Sequence, residues 1–402
     1  MKLFDWLQDS NIKKLINDLS YENHKFYFVG GCVRDSFLNE KIQDFDICSN
    51  LSPQQNLLHL QKLGYKVIST AINYGCVSLY INGKSFHITT IREDVKTYGR
   101  KADVAFVDNL YIDAKRRDFT INAIYLSIDG EIIDYFGGIE DLAQKKVQFI
   151  GDANARIQED YLRILRFFRF SNKLHQFKID PSLANILKIH SNYLKNISVQ
   201  RTSQELLKIL NTNTSGKIFN LMYNCGILQY LISTSQNNIN SLSNFETNNS
   251  QYLSFDENHK ILVKLAMLLN STNFKLVLPK KINQNLTQVI LLSQFIIKYR
   301  VFDYNEIILL IIKYNFFDVK MALIVAKYSN FNTQHIYDKL INKINLKKSQ
   351  DFPISGDDLL KLNIVGKNIK DTLEHLQKIY WQEPLKSKDE YIEIAKKYNS
   401  LV

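Results

Sequence analysis

The stretch FVGGCVRDSFLNEKIQDFDI, residues 28–47, constrains the chain most, because it dictates two strands, a glycine turn and a helix start in close succession. "KFYFV" predicts a strand that runs into Gly30 and Gly31. Paired glycines permit positive φ and let another group approach bare backbone. "CVRDSFLN" then opens a helix whose free N–H groups and positive dipole end face whatever lies over the turn, which makes a seat for phosphate. Arg34, in the first turn, can add a guanidinium fork to phosphate oxygens. In "DFDI" the side-chain period of two puts Asp44 and Asp46 on one face of a strand and Phe45 and Ile47 on the other. Two carboxylates side by side repel unless a cation lies between them. Mg2+ suits that role, taking a few carboxylate oxygens and completing its octahedron with water and substrate phosphates. The implied chemistry is two-metal phosphoryl or nucleotidyl transfer. A tight turn or a solvated strand end accounts for either piece alone; their close succession argues for a shared function.

The chain is long enough, at 402 residues with 45% hydrophobic, for two or three domains with real cores. Up to about residue 150, "VSLYI", "FHITTI" and "EIIDYFG" alternate with helical pieces and turns. Beyond it glycine is scarce and helical periodicity takes over, as in "SQELLKILN" and "YNEIILLIIKY". The expected fold class is α+β: a small mixed sheet with helices, followed by an all-helical remainder. The Asn/Ser-rich segment 233–251 reads as a loop or linker. The N-terminus reads as an amphipathic helix and not a signal peptide. No run approaches the ~20 apolar residues of a membrane helix. Cys32, Cys48, Cys76 and Cys225 show no metal spacing and no disulfide framework, so a reducing cytoplasm is the expected setting. A net charge of +11 and a pI near 9.1 suggest a polyanionic partner.

Two further clusters carry chemistry. In "KRRDFTINAIY", residues 115–125, Asp118 is placed to cap a helix-like apolar run, and Arg116 and Arg117 can reach phosphates. In "EDYLRILRFFRF", residues 159–170, the spacing puts Asp160, Arg163 and Arg166 on one helix face with Arg169 at its edge. An Asp and Arg pair has the donors and acceptors to read a base edge. The carboxylate accepts from the exocyclic amine of cytosine or adenine, and would stay unpaired against the carbonyl of uracil or guanine. A salt-bridged, solvated helix face is the alternative for each cluster taken alone.

The ordered set "GGCVRD", "DFDI", "RRDFTINA", "DYFGGIEDL" and "EDYLRILRFFRF" resembles the motif series of the class II tRNA nucleotidyltransferases, the CCA-adding enzymes, and of the similar bacterial poly(A) polymerases. The likeness covers about residues 25–210. It implies a nucleotidyltransferase head over 1–150, a helical neck for nucleotide recognition over 151–215, and a helical body and tail that hold tRNA over 216–402. Carried over residue by residue, Asp44 and Asp46 would be the catalytic carboxylates and Mg2+ ligands, and Gly31 and Arg34 would bind nucleotide phosphates. Arg117 and Asp118 would meet triphosphate and ribose. Asp160 and Arg163 would select C or A, supported by Arg166 and Arg169. "ISVQRTSQELLKIL", residues 197–210, resembles the motif after the neck, whose role is structural.

The implied activity is addition of C, C and A to the tRNA 3′ end from CTP and ATP, with no membrane involved. A poly(A) polymerase, or an enzyme adding only CC or only A, would share all these residues. A non-catalytic RNA-binding protein would have lost the DxD or Arg34, and both are intact. Some positions depart from the pattern. His87 stands where a glutamate is usual, "NYGC" at 73–76 replaces His-Gly-Thr, "VQR" replaces a Glu-Arg pair, and Tyr98 replaces an aspartate before Gly-Arg.

Overall fold

The computed structural model describes residues 3–20, 24–98, 101–248, 255–269, 271–329, 333–348, 352–383 and 386–401. The side chain of Tyr98, with Gly99 and Arg100, lies outside the described residues, as do positions 249–251 of the Asn/Ser-rich segment. The chain divides into two compact units, 1–212 with 221–231, and 213–220 with 232–402.

The first unit opens with a short 3-10 turn at Asp5–Gln8 and α1 (Ser10–Leu19), so the amphipathic N-terminal helix starts later than its pattern suggested. The delay has a local cause: the Asp9 carboxylate accepts from the N–H groups of Asn11 and Ile12 and caps the helix there. Next come β1 (Phe26–Val29), α2 (Gly31–Phe37), β2 (Asp44–Ser49), α3 (Pro53–Lys62), β3 (Val67–Ile68), β4 (Cys76–Ile81) and β5 (Lys84–Thr90). β6 (Arg92–Tyr98) and β7 (Lys101–Phe106) form a separate two-stranded sheet. α4 (Leu110–Lys115), β8 (Ile124–Ser127), β9 (Ile132–Asp134) and α5 (Gly138–Ala143) complete the α/β part.

The main sheet runs β3-β4-β5-β2-β1-β8-β9, with β2 and β5 parallel and every other pair antiparallel. β2 is therefore central, and its period of two divides the sheet. Phe45 stacks on Phe86 at 5.0 Å and meets Trp6 and Phe28 on the buried face. Asp44 and Asp46 take the opposite face and remain exposed, and that same face closes over at Cys48. One run of the sequence departs from its expected form. "INAIY" is not helical: Thr120–Asn122 is one 3-10 turn and β8 follows, buried throughout between β1 and β9. A short apolar run carries no period by which helix and strand differ, and the pairing partner decided it.

α6 (Ala153–Glu159), α7 (Leu162–Lys173), α8 (Pro181–His190) and α9 (Val199–Leu210) belong to the same unit. They are joined to the sheet region through Phe119, Phe149, Phe167 and Phe170, whose rings lie 4.7–6.4 Å apart.

The second unit is helical: α10 (Ser215–Asn224, divided between the units), α11 (Gln236–Thr247), α12 (Glu257–Leu268), α13 (Lys280–Tyr299), α14 (Tyr304–Lys313), α15 (Phe316–Ser329), α16 (Gln334–Lys348), α17 (Gly356–Leu360), α18 (Lys367–Gln382) and α19 (Lys388–Leu401). α11 overturns the expected linker at 233–251. Ile239, Leu242 and Phe245 recur three apart and bury one face, and Ser235 caps the start. Glu246 is buried, pairs with Lys264 at 2.8 Å and accepts from the N–H groups of Ser215 and Gly216. Among the described residues no helix is long and apolar enough to cross a membrane.

The second glycine of "DYFGGIEDL" has a steric reason. A Cβ on Gly138 would lie 2.8 Å from the Thr120 carbonyl carbon and 2.9 Å from Ile124 Cγ1. The Asp134 carboxylate holds this loop by accepting from the N–H groups of Gly138 and Ile139. Gly138→Ala is expected to destabilise the first unit by about 1–3 kcal/mol through overpacking. Urea unfolding followed by circular dichroism checks this, and an unchanged midpoint would contradict the close approach.

Candidate active site

Gly30 sits at φ +73°, ψ −122°, a conformation that L side chains rarely adopt. It is also a point of convergence. A Cβ there would lie 3.6 Å from Arg117 Nη1, 3.7 Å from Asp46 Oδ2 and 3.9 Å from the Asn122 carbonyl oxygen. The turn thus brings Gly31 and Arg34 of α2, the carboxylates of β2 and the "RRD" segment together.

On β2, Asp44 accepts from Ser85 Oγ at 2.6 Å, and Asp46 has no hydrogen bond or ion pair to its carboxylate among the described residues. Asp46 keeps contact with water, but the protein around it removes much of its bulk solvation. That loss raises its carboxyl pKa, with Asp44 adding to the shift and Arg117, His87 and Arg34 opposing it. His87 lies in register with Asp46 on the parallel neighbour strand, its Nδ1 2.8 Å from Ser78 Oγ. No set of three or more His, Cys, Asp or Glu side chains among the described residues is arranged to hold a metal. The donor set is two carboxylates. It fits a hard divalent cation that draws its other ligands from water and substrate phosphate.

Sequence reasoning did not single out Asp113 of α4, which organises the basic segment. It is fully buried, pairs with Arg116 at 2.6 Å and Arg117 at 2.9 Å, and accepts from Tyr125 Oη at 2.8 Å. Burial opposes its charge, but the guanidiniums of Arg117 and Arg116 overcome this and hold the carboxyl well below the usual range. The i, i+3 and i, i+4 spacing to Arg116 and Arg117 was a signal available in "DAKRR".

Asp118 does not cap an α-helix, because no helix follows it. Its Oδ1 accepts from the Phe119 N–H and from Asn122 Nδ2, and its Oδ2 from Arg166 Nε at 2.6 Å. Asn122 in turn accepts from Arg34 Nη1 at 2.5 Å. Burial opposes the Asp118 charge too, yet Arg166 and Asn122 hold its carboxyl well below the usual range. The guanidiniums of Arg34, Arg166 and Arg169 lie 4.7, 5.6 and 4.3 Å from the centre of the Phe170 ring. Arg169 pairs with Glu205 of α9 at 3.0 Å. Burial draws its pKa down to about 10; Glu205 resists, and Arg166 and Arg34 add to the fall. Arg34 pairs with Asp35 at 2.7 Å, so each of the three cations gathered here already has one carboxylate partner.

Asp160 and Arg163 differ from the expected single helix face. The helix breaks at Asp160, whose backbone is extended at φ −153°, and α7 begins two residues later. Asp160 Oδ1 accepts from the Leu162 N–H at 3.1 Å and Oδ2 from Arg201 Nη2 at 2.6 Å. The side chain caps the new helix, which a polar residue does better than it sits mid-helix. Arg163 donates to Glu159 at 2.6 Å and to the Arg156 carbonyl at 2.8 Å, not to Asp160. Arg156, which pairs with Glu159 and donates to the carbonyls of Arg116 and Arg117, and Arg201 are further residues the pattern did not single out.

Residues 26–148 match the family described as Poly A polymerase head domain, and residues 176–236 the one described as Probable RNA and SrmB- binding site of polymerase A. A CCA-adding enzyme of Leuconostoc citreum is 31% identical over 412 residues, covering 98% of this chain and 96% of that protein. The human CCA tRNA nucleotidyltransferase 1, mitochondrial, is 38% identical over 231 residues, 57% of this chain and 53% of the human protein, so the matched stretch spans about half that relative's length. The solved structure of a Thermotoga maritima CCA-adding enzyme complexed with tRNA superimposes with a TM-score of 0.71 at 21% identity, covering 99% of this chain and 98% of that one, a likeness of fold.

Asp113→Asn leaves two half-buried guanidiniums without their buried counter-charge and is expected to cost about 3 kcal/mol of stability at pH 7. A depressed carboxyl contributes stability that is full above its unfolded pKa, near 4, and is lost as pH falls toward its folded one. The deficit of the variant therefore narrows below about pH 4. Urea titrations at pH 7 and pH 3 test this; equal deficits at both would trace the loss to packing instead.

Proposed function

The chain belongs to the family of the CCA-adding enzymes, and from that premise we propose that it is a Mg2+-dependent nucleotidyltransferase adding C, C and A to the 3′ end of tRNA from CTP and ATP without a nucleic-acid template. The observation that carries the reading is the meeting of two opposite sites around one glycine turn. Exposed Asp44 and Asp46 attract a cation, and Arg34, Arg166 and Arg169 around Phe170 attract an anion. A metal-bound triphosphate satisfies both. Asp44 and Asp46 would hold the ion, whose chemistry when bound would be to activate the attacking 3′ hydroxyl and steady the departing pyrophosphate.

The protein's own groups supply position and charge. Gly31 and Arg34 receive phosphate oxygens at the turn, Arg117 adds a guanidinium held by Asp113, and Asp118 serves ribose while fixing Arg166. Base choice belongs to Asp160 and Arg163. Each oxygen of Asp160 is engaged by one donor, so each retains an acceptor position for the exocyclic amine of cytosine or adenine. Arg163, anchored through one terminal nitrogen, has other N–H groups for the ring nitrogen.

In this reading residues 1–150 are the catalytic head, 151–215 the neck that recognises the nucleotide, and 216–402 the body and tail that hold tRNA. Lys280 and Lys281 on α13 and Lys348 on α16 are exposed and suit backbone phosphates. We place the chain in the cytoplasm: its four cysteines are free thiols, and burial pushes Cys32 up to about 12, where it stays protonated and unreactive.

Wild-type protein with tRNA lacking its 3′ end is expected to incorporate C, C and A and stop, as read at nucleotide resolution on a gel. Asp44→Ala and Asp46→Ala remove incorporation while leaving tRNA affinity largely intact. Long A tails would overturn CCA addition in favour of poly(A) synthesis, and near-normal turnover in both variants would overturn the metal site.

Asp160→Ala is expected to narrow the preference for CTP and ATP over UTP and GTP by about ten-fold or more, because an unpaired buried polar group costs roughly 1–3 kcal/mol. Comparing kcat/KM for the four triphosphates decides it. If the variant folds and the ratio is unchanged, Asp160 serves only Arg201 and the α7 cap.

A further inference from the structure

The resemblance treated residues 197–210 as a structural support for the neck. α9 has two different sides, however. Glu205, Leu206, Ile209 and Leu210 are buried, and Glu205 meets the arginine cluster through Arg169, while Lys208, one turn on from Glu205, is exposed. Glu205 is spent on Arg169, at 3.0 Å. Lys208 Nζ stands 3.9 Å from Glu205, beyond hydrogen-bond length, and its side chain is 59% exposed. It has no other ion pair among the described residues.

Its surroundings locate it further. Burial pushes the Lys208 ammonium below its usual pKa, Arg169 and Arg166 add to this, and Glu205 and Asp44 resist it. The contacts Lys208–Glu205 at 3.9 Å and Glu205–Arg169 at 3.0 Å put the ammonium at the edge of the arginine cluster around Phe170. Without a ligand it is a further cation on the Arg169 side of that cluster, sharing Glu205 with Arg169. Support of the neck does not require a cation at that position; an incoming polyanion does.

We propose that Lys208 is a further substrate-binding residue, whose ammonium contacts the β- and γ-phosphate oxygens of the incoming nucleoside triphosphate. This rests on the nucleotidyltransferase reading above. As the 3′ oxygen bonds to the α-phosphorus and gives its proton to solvent, the bond to the α–β bridging oxygen breaks. The electron pair leaves with the pyrophosphate, and Lys208 offsets the charge that grows there. An ammonium is suited to this because it is a compact charge with three rotatable donors and imposes no preference for the base.

The test compares wild type, Lys208→Met and Lys208→Arg in binding of CTP, ATP and CMP and in kinetics of incorporation. Lys208→Met is expected to weaken CTP and ATP alike by about ten-fold, the worth of one charge-assisted hydrogen bond. It leaves CMP affinity and the ratio of CTP to UTP unchanged, and weakens inhibition by pyrophosphate. Lys208→Arg retains most of the affinity. Equal losses for CMP and CTP would mean a structural role, and unchanged CTP affinity would mean no contact; either overturns the assignment. The parent reading fails separately, if the wild type binds CTP but incorporates nothing.

Discussion

The carboxylate of Asp118 is the joint on which the candidate site depends. One oxygen reaches through Asn122 to Arg34 on the glycine turn, and the other holds Arg166 on α7. A buried carboxylate in this position ties the sheet to the helices that follow and offsets the arginines gathered around Phe170. Remove it, and Arg166, half-buried, loses its counter-charge while facing two other guanidiniums. The aromatic contacts of Phe119 and Phe170 bring the same elements together, but apolar packing alone does not choose a rotational setting for α7. A directional ion pair does.

The same logic recurs outward. Asp113 fixes Arg117, Glu205 fixes Arg169, Arg201 fixes Asp160 and Glu159 fixes Arg163. Each arginine proposed for substrate has a counter-ion that belongs to the scaffold, Arg34 through Asp35 at 2.7 Å. A guanidinium has five N–H groups and a carboxylate about four lone-pair sites, so one scaffold partner sets direction without exhausting the capacity to bind. The exceptions are informative. Asp44, Asp46 and Lys208 lack a close hydrogen-bonded counter-ion among the described residues, and Lys208 carries the charge opposite to the two carboxylates.

Local patterns were legible where physics is local. Alternation in "DFDI" and the double glycine after "KFYFV" translate directly into β2, the turn at Gly30 and the start of α2. Where two local readings compete, the pattern misled. "INAIY" is too short to show a period, and its partners β1 and β9 made it a strand. The Asn/Ser-rich segment looked like a linker by composition, although Ile239, Leu242 and Phe245 already held a helical spacing. Asp160 fitted a helix face on spacing, yet its short carboxylate competes for the Leu162 N–H and ends one helix to cap the next.

By itself, then, the sequence determined the fold class, the turn at Gly30 and the two carboxylates on one face of β2. All three follow from turn chemistry and residue periods over a few neighbours. Which charge meets which across distant parts of the chain was decided by tertiary structure alone. With 51 lysines and arginines and 40 acidic residues, composition permits a great many pairings. The long-range ones at the candidate site join Arg166 to Asp118, Asp160 to Arg201 and Arg169 to Glu205, across 36 to 48 residues of chain. An ion pair depends on a few ångströms of separation and on lost water, and both exist only once the chain has closed.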